Sequence, residues 1–258
     1  MPSAFVPPHH IESLTELMNV GKFRREAVQT GHAEPTATSF FVRIETMSGV
    51  DQREIELGIV DEKVPEGLHI CHIFNDDDER NETLAKFIEK GFDSGEKVAV
   101  LMDSIPREEL LDVLETAGVD TGQADNHLVA RALDVYCPDQ KFDPLTMLDR
   151  FQLHYKMAIQ EGFTGARAVG EMSWALSDEA DTELMDLAEY ECRLNAVFSD
   201  TPCTTICSYD ARRFDGGTIM DMLSVHPYTI VRGQLMRNPL YIEPDHFLAE
   251  LKQRVGAA

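Results

Sequence analysis

The sequence has no long apolar run and few basic residues. No stretch approaches the roughly 18 consecutive apolar residues that cross a bilayer, and the amino terminus lacks the basic start and apolar centre of a secretory signal. Lys and Arg number 23 against 46 Asp and Glu, a formal net charge of −23. Such a surface repels nucleic-acid phosphates and anionic membranes. We therefore expect a cytoplasmic protein with no direct nucleic-acid partner and no membrane partner.

Lysine is scarce even among the basic residues, with 8 in the chain. An acidic excess with little lysine is typical of proteins from a salt-rich cytoplasm, where screening makes the charge tolerable. This favours a halophilic archaeon as the source, and an ordinary acidic bacterial protein is the alternative. The five cysteines form no disulfide framework, because their count is odd and their spacing wide, and we expect buried thiols in a reducing cytosol.

The chain divides into two regions by pattern. Residues 1–64 predict a helix over Ile11–Ala27 and a β-hairpin within Ser39–Val60. Residues 65–258 alternate short apolar strands with helices of 10 to 20 residues, which predicts an α/β domain with a mainly parallel sheet and helices on both faces. The predicted strands are His69–Phe74, Lys97–Met102, Leu128–Tyr136, Ala166–Trp174, Thr204–Tyr209 and Tyr228–Val231.

The first of these strands leads into an acidic loop. In nucleotide-binding units of this layout, the loop carries glycines and a lysine, which hold phosphate at a helix N-terminus. Here the run Asp76–Glu79 stands in that place, with capping-box spacing between its end residues and a preference for the positive end of the helix dipole. The loop has the layout of a nucleotide site, but its charge would repel phosphate. A strongly capped helix is the structural alternative.

Several separated blocks resemble one family. They are HIC at His69–Cys71 with Phe74, FIEKGFDSGEKVAVLMD, GEMSWAL at Gly170–Leu176, Glu191 within EYECRLN, TTICSYDARRF at Thr204–Phe214, and SVHPYTIVRGQLMRNPLY at Ser224–Tyr241. Together they are similar to the MEDS domain, the methanogen/methylotroph sensory domain of dichloromethane-dehalogenase-repressor-like regulators. The resemblance implies a RecA/KaiC-like core without ATP machinery. It also implies that the domain senses a small hydrocarbon-type, halogenated or methylated molecule and signals to an output partner.

The candidate ligand site combines this resemblance with the rule that open α/β sheets bind ligands beyond the carboxyl ends of their strands. Trp174, the only tryptophan, offers an apolar wall with one N–H donor, and Glu191 lies among apolar helix positions and needs a partner. His226 ends a helix, where a capping role is the alternative. We predict no cofactor, no metal and no catalysis. The predicted ligand-binding residues are His69, Cys71, Phe74, Glu171, Trp174, Glu191, Cys207, Tyr209 and His226.

Two other functions remain open at this point. His69 and Cys71 share a strand face that Cys207 can join, although a hydrogen-bonded histidine and a buried thiol are favoured over zinc. A metal-assisted hydrolase would use His69, Cys71, His72 and Glu171, and a ligand-free interaction or scaffold protein would have a filled pocket. The sequence shows no recognisable helix-turn-helix or kinase segment, so we expect a protein output partner on another chain. A homodimer is also compatible with the sequence.

Overall fold

The computed structural model describes residues 53–257. The predicted helix Ile11–Ala27 and the first strand of the predicted hairpin lie outside the described residues, and the domain boundary at residue 64 stays a prediction. Part of the second hairpin strand is described. There β1 (Glu54–Ile55) pairs antiparallel with β2 (Val64–Pro65).

A second sheet of seven strands organises the fold, in the order β5-β4-β6-β7-β3-β8-β9. All neighbours pair in parallel except the last two, which are antiparallel. The predicted α/β class with a mainly parallel sheet is therefore confirmed. The strands are β3 (His69–Phe74), β4 (Lys97–Leu101), β5 (Leu128–Ala130), β6 (Ala166–Glu171), β7 (Thr204–Asp210), β8 (Tyr228–Val231) and β9 (Gln234–Arg237).

Helices cover both faces of this sheet and enclose two apolar cores. Leu84, Phe87 and Leu110 from the first two helices pack on one face, while Phe151, Leu187 and others from later helices pack on the opposite face. The helices are α1 (Asp77–Asp93), α2 (Arg107–Thr116), α3 (Ala132–Tyr136), α4 (Pro144–Gln160), α5 (Leu184–Asp200), α6 (Gly216–Val225) and α7 (Pro244–Ala257). No helix within residues 53–257 is both long and apolar enough to cross a membrane.

Aspartates begin three of these helices. Asp76 accepts a hydrogen bond from the Glu79 N–H at 2.8 Å, which confirms the predicted helix cap. Asp143 and Asp215 do the same at α4 and α6. Each side chain satisfies a backbone donor that the helix itself leaves free.

Two predicted strands are too long. The strand predicted over Leu128–Tyr136 ends at Ala130, and α3 follows it. The strand predicted over Ala166–Trp174 ends at Glu171, and a 3₁₀ turn, Met172–Leu176, carries the tryptophan. Both errors have one cause, because a short buried apolar run looks the same whether it continues as strand or turns into helix.

A buried ion pair links the sheet to α1. Arg167 on β6 and Glu96 have fully buried side chains and bind each other through charge-assisted hydrogen bonds. Arg167 also donates to the Phe87 carbonyl at 2.7 Å. Glu96 also pairs with Arg53, but its removal would leave the buried Arg167 without a carboxylate partner, so the pair stabilises the packing of α1 on β6.

Candidate functional site

A cluster of polar side chains lies in the larger core, and Glu191 is its centre. The Glu191 carboxylate accepts from the Tyr209 hydroxyl at 2.9 Å and from the Cys207 thiol at 3.3 Å. The Nε2 atom of His69 lies 3.0 Å from the same carboxylate, and that of His226 lies 3.5 Å away. All five side chains are buried. We call His69, Glu191, Cys207 and His226, with Tyr209 beside them, the Glu191 cluster.

The sheet register explains why these residues meet. β3 and β7 are neighbours, with Cys71 opposite Cys207, so His69, two residues before Cys71, projects from the same face. Tyr209 follows Cys207 on that face. Glu191 is a buried residue of α5, and His226 directly follows the last residue of α6.

A further hydrogen bond, at the Nδ1 atom, orients each imidazole ring. The Nδ1 atom of His69 lies 3.1 Å from the Asn195 amide oxygen, and the Asn195 amide nitrogen donates to the carbonyl of Val225 at 2.8 Å. The Nδ1 atom of His226 lies 2.7 Å from the carbonyl of Met222. Because those partners are acceptors, both Nδ1 atoms carry the proton in the neutral rings, and both Nε2 atoms present lone pairs to the Glu191 carboxylate.

Burial dominates the electrostatics of this cluster. It lowers the pKa of His69 to about 4, helped by the neighbouring His226, and with the charge of Glu191 it raises the pKa of Cys207 and of Tyr209 well above their usual values. Burial opposes ionisation of Glu191, and protonated His226 and His69 would favour it and lower its pKa. Cys207 is a thiol at neutral pH.

An aromatic cluster lies next to it, made of Tyr136, Phe142, Trp174 and Tyr190. Tyr136 stacks on Trp174 with ring centroids 4.7 Å apart, and Phe142 lies 4.8 Å from the same indole. Tyr190 meets Tyr136 and Phe142 edge-on. The buried indole Nε1 of Trp174 has no hydrogen-bond partner in the part of the chain that the structure describes, an arrangement that costs free energy unless something accepts from it.

A cavity of about 420 Å³ opens against this aromatic cluster. Tyr136 and Phe142 contribute its aromatic wall, while Lys141 and Asp143 add polar groups. A cleft of that size suits a small organic molecule, since such sites are mostly apolar with a few polar groups for orientation.

Gly170 joins the aromatic cluster to the Glu191 cluster. It pairs with Cys207 in the sheet, on the face that carries both clusters. A Cβ atom placed on Gly170 would lie 2.5 Å from the Tyr136 hydroxyl, so only glycine allows Tyr136 to approach the strand this closely. Movement of Tyr136 would therefore reach β6 and the neighbouring Cys207.

The carboxyl edge of the sheet is held by internal hydrogen bonds. Glu171 accepts from the backbone N–H groups of Asp103 and Ser104, at 3.1 and 2.9 Å, and thus fixes the loop after β4. In turn Asp103 accepts from the Leu133 N–H at 3.0 Å, which ties the start of α3 to this edge.

The acidic loop forms one wall of a larger cavity of about 670 Å³, whose lining includes Asp76, Asp78, Glu79 and Glu82. Lys86 and Arg232 are the basic residues of this lining, and nearby Arg212, just after β7, bridges Asp77 and Asp210 at 2.7 Å each. The charge at this helix start remains negative, which is unfavourable for phosphate.

The structure places the predicted site residues in four different parts of the fold. His69, Glu191, Cys207, Tyr209 and His226 meet in one cluster, with Cys71 beside Cys207. Trp174 belongs to the aromatic cluster, and Glu171 holds the sheet edge. Phe74 lies on the opposite face of β3, under the guanidinium of Arg80. The Nδ1 atom of His226 caps the end of α6 through the Met222 carbonyl, while its Nε2 atom faces Glu191.

The residue set of the hydrolase alternative is wrong. His69 and Cys71 project from one face of the sheet, whereas His72 and Glu171 belong to the other, in the row where His72 pairs with Ser208 and Ser208 with Glu171. Strand alternation therefore prevents these four side chains from converging. His72 instead binds the Ser208 hydroxyl at 2.9 Å.

Four residues of these sites were missed from the sequence: Tyr136, Phe142, Tyr190 and Asn195. Tyr136 was assigned to a strand, so its position over Gly170 was hidden. Asn195 carried a usable signal, because it lies four residues after Glu191 and therefore on the same face of the helix. Nothing local marks Phe142, which comes from a loop.

Comparisons with known proteins agree with this architecture. The family described as MEthanogen/methylotroph, DcmR Sensory domain matches residues 68–227. The transcriptional repressor DcmR of Methylorubrum extorquens is 28% identical over 164 residues, which cover 62% of this chain and 58% of the repressor. The chain thus matches somewhat more than half the length of that relative.

Solved structures show the same fold. The flagellar accessory protein FlaH from Methanocaldococcus jannaschii superimposes with a TM-score of 0.50 at 10% identity, over 72% of this chain and 84% of that one. The KaiC-like protein PH0186 from Pyrococcus horikoshii gives 0.49 at 16% identity, over 69% and 79%. The likeness to FlaH shows a shared α/β fold, as the predicted layout requires, and at 10% identity it concerns the fold alone.

Proposed function

We propose that this chain, which belongs to the MEthanogen/methylotroph, DcmR Sensory domain family, is a non-catalytic sensory domain for a small organic molecule. The ligand is of the hydrocarbon type, halogenated or methylated, and the bound state is transmitted by protein contact to a transcriptional or signal-transduction partner. A sensory or regulatory role follows from the family and from the similarity to a transcriptional repressor. The ligand, the binding place and the partner are our proposals.

The cavity beside the aromatic cluster is the observation that carries the proposal. Tyr136 and Phe142 line it, and both also pack on Trp174. Flat aromatic walls suit a ligand with few polar groups.

The acidic loop supports a neutral or cationic ligand over an anionic one. Its carboxylates surround the helix start where a nucleotide-binding relative of this fold would hold phosphate, and Arg212 is already paired there. Like charges would oppose an incoming triphosphate, so the domain would be insensitive to ATP.

Tyr136 offers a route for the signal. Its ring contacts the cavity, and its hydroxyl lies over Gly170, opposite Cys207 on the next strand. A ligand that displaces this ring would therefore shift β6 or the Glu191 cluster, and with them the α5 surface. Packed interiors respond to such displacements by small rigid shifts, because they have little free space.

Thermal unfolding with a panel of compounds tests the proposal. A ligand at about 100 times its dissociation constant stabilises the folded state by about 2.7 kcal/mol, so a true ligand among haloalkanes, methylated amines and thiols raises the melting temperature. The Phe142→Ala substitution removes an aromatic wall and should abolish the shift. Phe92→Ala is the matched control, since Phe92 is partly buried against His127, away from the aromatic cluster, and should leave the shift intact.

Two results would refute the proposal. If no member of the panel shifts the melting temperature, the scaffold alternative gains support. If a compound shifts the Phe142→Ala protein as much as the unchanged chain, binding takes place elsewhere.

A further inference from the structure

We propose that the Glu191 cluster binds one divalent transition-metal ion of the zinc class, with His69, Glu191, Cys207 and His226 as the four ligands. One donor atom from each of these residues lies within 4.8 Å of all the others. Two imidazole nitrogens, one carboxylate oxygen and one thiolate are the donor types that proteins use for zinc. This inference is independent of the organic ligand proposed above.

The distances between donor atoms suit a tetrahedral ion. Bonds of about 2.0–2.1 Å to nitrogen and about 2.3 Å to sulfur place tetrahedral ligands about 3.3–3.6 Å apart. The Sγ atom of Cys207 lies 3.5 Å from the Nε2 of His69 and 3.3 Å from a Glu191 oxygen. That oxygen lies 3.0 and 3.5 Å from the two Nε2 atoms. The remaining pairs of donor atoms lie within 4.8 Å of each other, so shifts of about an ångström would complete the coordination.

The orientation of the rings is a second, independent observation. The acceptors Asn195 and Met222 fix the protons of His69 and His226 on Nδ1, so the lone pairs of both Nε2 atoms face the Glu191 carboxylate. The Nε2 of His226 is fully buried and has no hydrogen-bond partner among residues 53–257. A cation between these groups turns mutual repulsion into coordination. Histidine ligands that donate their other N–H to a carbonyl or amide oxygen are the usual arrangement at metal sites.

Charge balance also favours the ion. Binding releases the proton of the Cys207 thiol to solvent, and the resulting thiolate and the Glu191 carboxylate together carry two negative charges. A divalent ion makes the site neutral, which removes most of the cost of burying charge there. Tyr209 donates to the second carboxylate oxygen and stays outside the coordination sphere. The ion would join β3, β7, α5 and the end of α6.

Cobalt and zinc binding to the full chain test the proposal. After chelation, the protein should take up one Zn²⁺ per chain and unfold at a higher temperature when it is restored. With Co²⁺ in its place, the spectrum should show the thiolate charge-transfer band and the intense visible bands of tetrahedral cobalt. X-ray absorption of the zinc protein should show one sulfur and three nitrogen or oxygen neighbours, a measurement that needs no variant.

Substitutions identify the ligands. Cys207→Ser should abolish the charge-transfer band and weaken binding by more than about 100-fold, since the loss of an outer-shell partner alone costs about 10–100-fold. Cys203→Ser is the matched control, because Cys203 is equally buried just before β7 and binds Thr205 outside the cluster. Asn195→Ala removes the partner of His69 Nδ1 and should weaken metal binding by about 10–100-fold.

Failure of the chelated chain to bind either ion would overturn the proposal and leave a metal-free buried network. Binding without a sulfur neighbour, or an equal loss in Cys203→Ser, would also overturn it. None of these results bears on the compound-induced thermal shift, so the two proposals fail separately.

Discussion

Gly170 is the position where a single methyl group should disturb both clusters. The added Cβ of Gly170→Ala would lie 2.5 Å from the Tyr136 hydroxyl and 2.6 Å from the end of the Met172 side chain. Met172 is flexible and can move. Tyr136 cannot withdraw easily, because its ring is buried between Trp174 and the edge of Tyr190.

The expected cost is about 1–3 kcal/mol, the usual penalty for an extra carbon in a well-packed core. Gly216→Ala is the matched control, since a Cβ there meets nothing within 4 Å. That change should be neutral or slightly stabilising, by up to about 1 kcal/mol, because alanine restricts the unfolded chain.

Urea unfolding of both variants measures the difference, and the fluorescence of Trp174 adds a local signal. Because Trp174 is the only tryptophan and stacks on Tyr136, its emission should change in Gly170→Ala and not in Gly216→Ala. Equal stability of the two variants, with unchanged emission, would refute the placement of Tyr136 over β6.

Three further predictions concern stability. Glu96→Gln should cost about 3–5 kcal/mol in urea unfolding, because it leaves the buried guanidinium of Arg167 without its carboxylate partner, whereas Glu189→Gln, at an exposed pair with Arg193, should stay within about 1 kcal/mol; similar losses would contradict the buried pair. Burial lowers the pKa of His154 to about 4 in the folded protein. As pH drops below about 6.5, this histidine is therefore protonated in the unfolded chain but not in the folded one, and stability falls. Between pH 7.5 and 5 this histidine should account for a loss of about 2 kcal/mol, which His154→Gln should remove; an unchanged slope would contradict it. Molar potassium chloride should raise the melting temperature, because it screens the excess of negative charge, and a decrease would count against adaptation to high salt.

Much of the fold was predictable because its signals are local. The alternation of apolar strands with amphipathic helices specifies a parallel sheet, and the acidic residues before α1 mark the helix start that Asp76 caps. The two strand errors show the limit of that reasoning. Leu133 and Tyr136 are apolar or aromatic in either state, and only the bond from the Leu133 N–H to Asp103 makes the helix start visible.

The candidate site was predictable by residue type and only partly by place. His69, Cys207 and Glu191 were selected as polar groups among apolar neighbours, and they meet in the structure, yet the sequence could not bring His226 to them. Sequence reasoning placed the ligand at the carboxyl ends of the strands. In the structure His226 meets His69, the first residue of β3, because α6 returns across the sheet, and that path depends on packing between distant segments.

The aromatic cavity was the least visible feature. Its wall takes Tyr136 from a short helix and Phe142 from a loop, so no periodic pattern connects them. Gly170 carried a signal, since a glycine inside a strand often marks the close approach of another group.

Titration of Trp174 emission tests the central claim most directly, because this indole packs against both aromatic residues that line the cavity. The account predicts a saturable change in emission with a small halogenated or methylated compound, and none with magnesium ATP at the same concentrations. Saturable binding of ATP with turnover, and no response to any of the organic compounds, would contradict it.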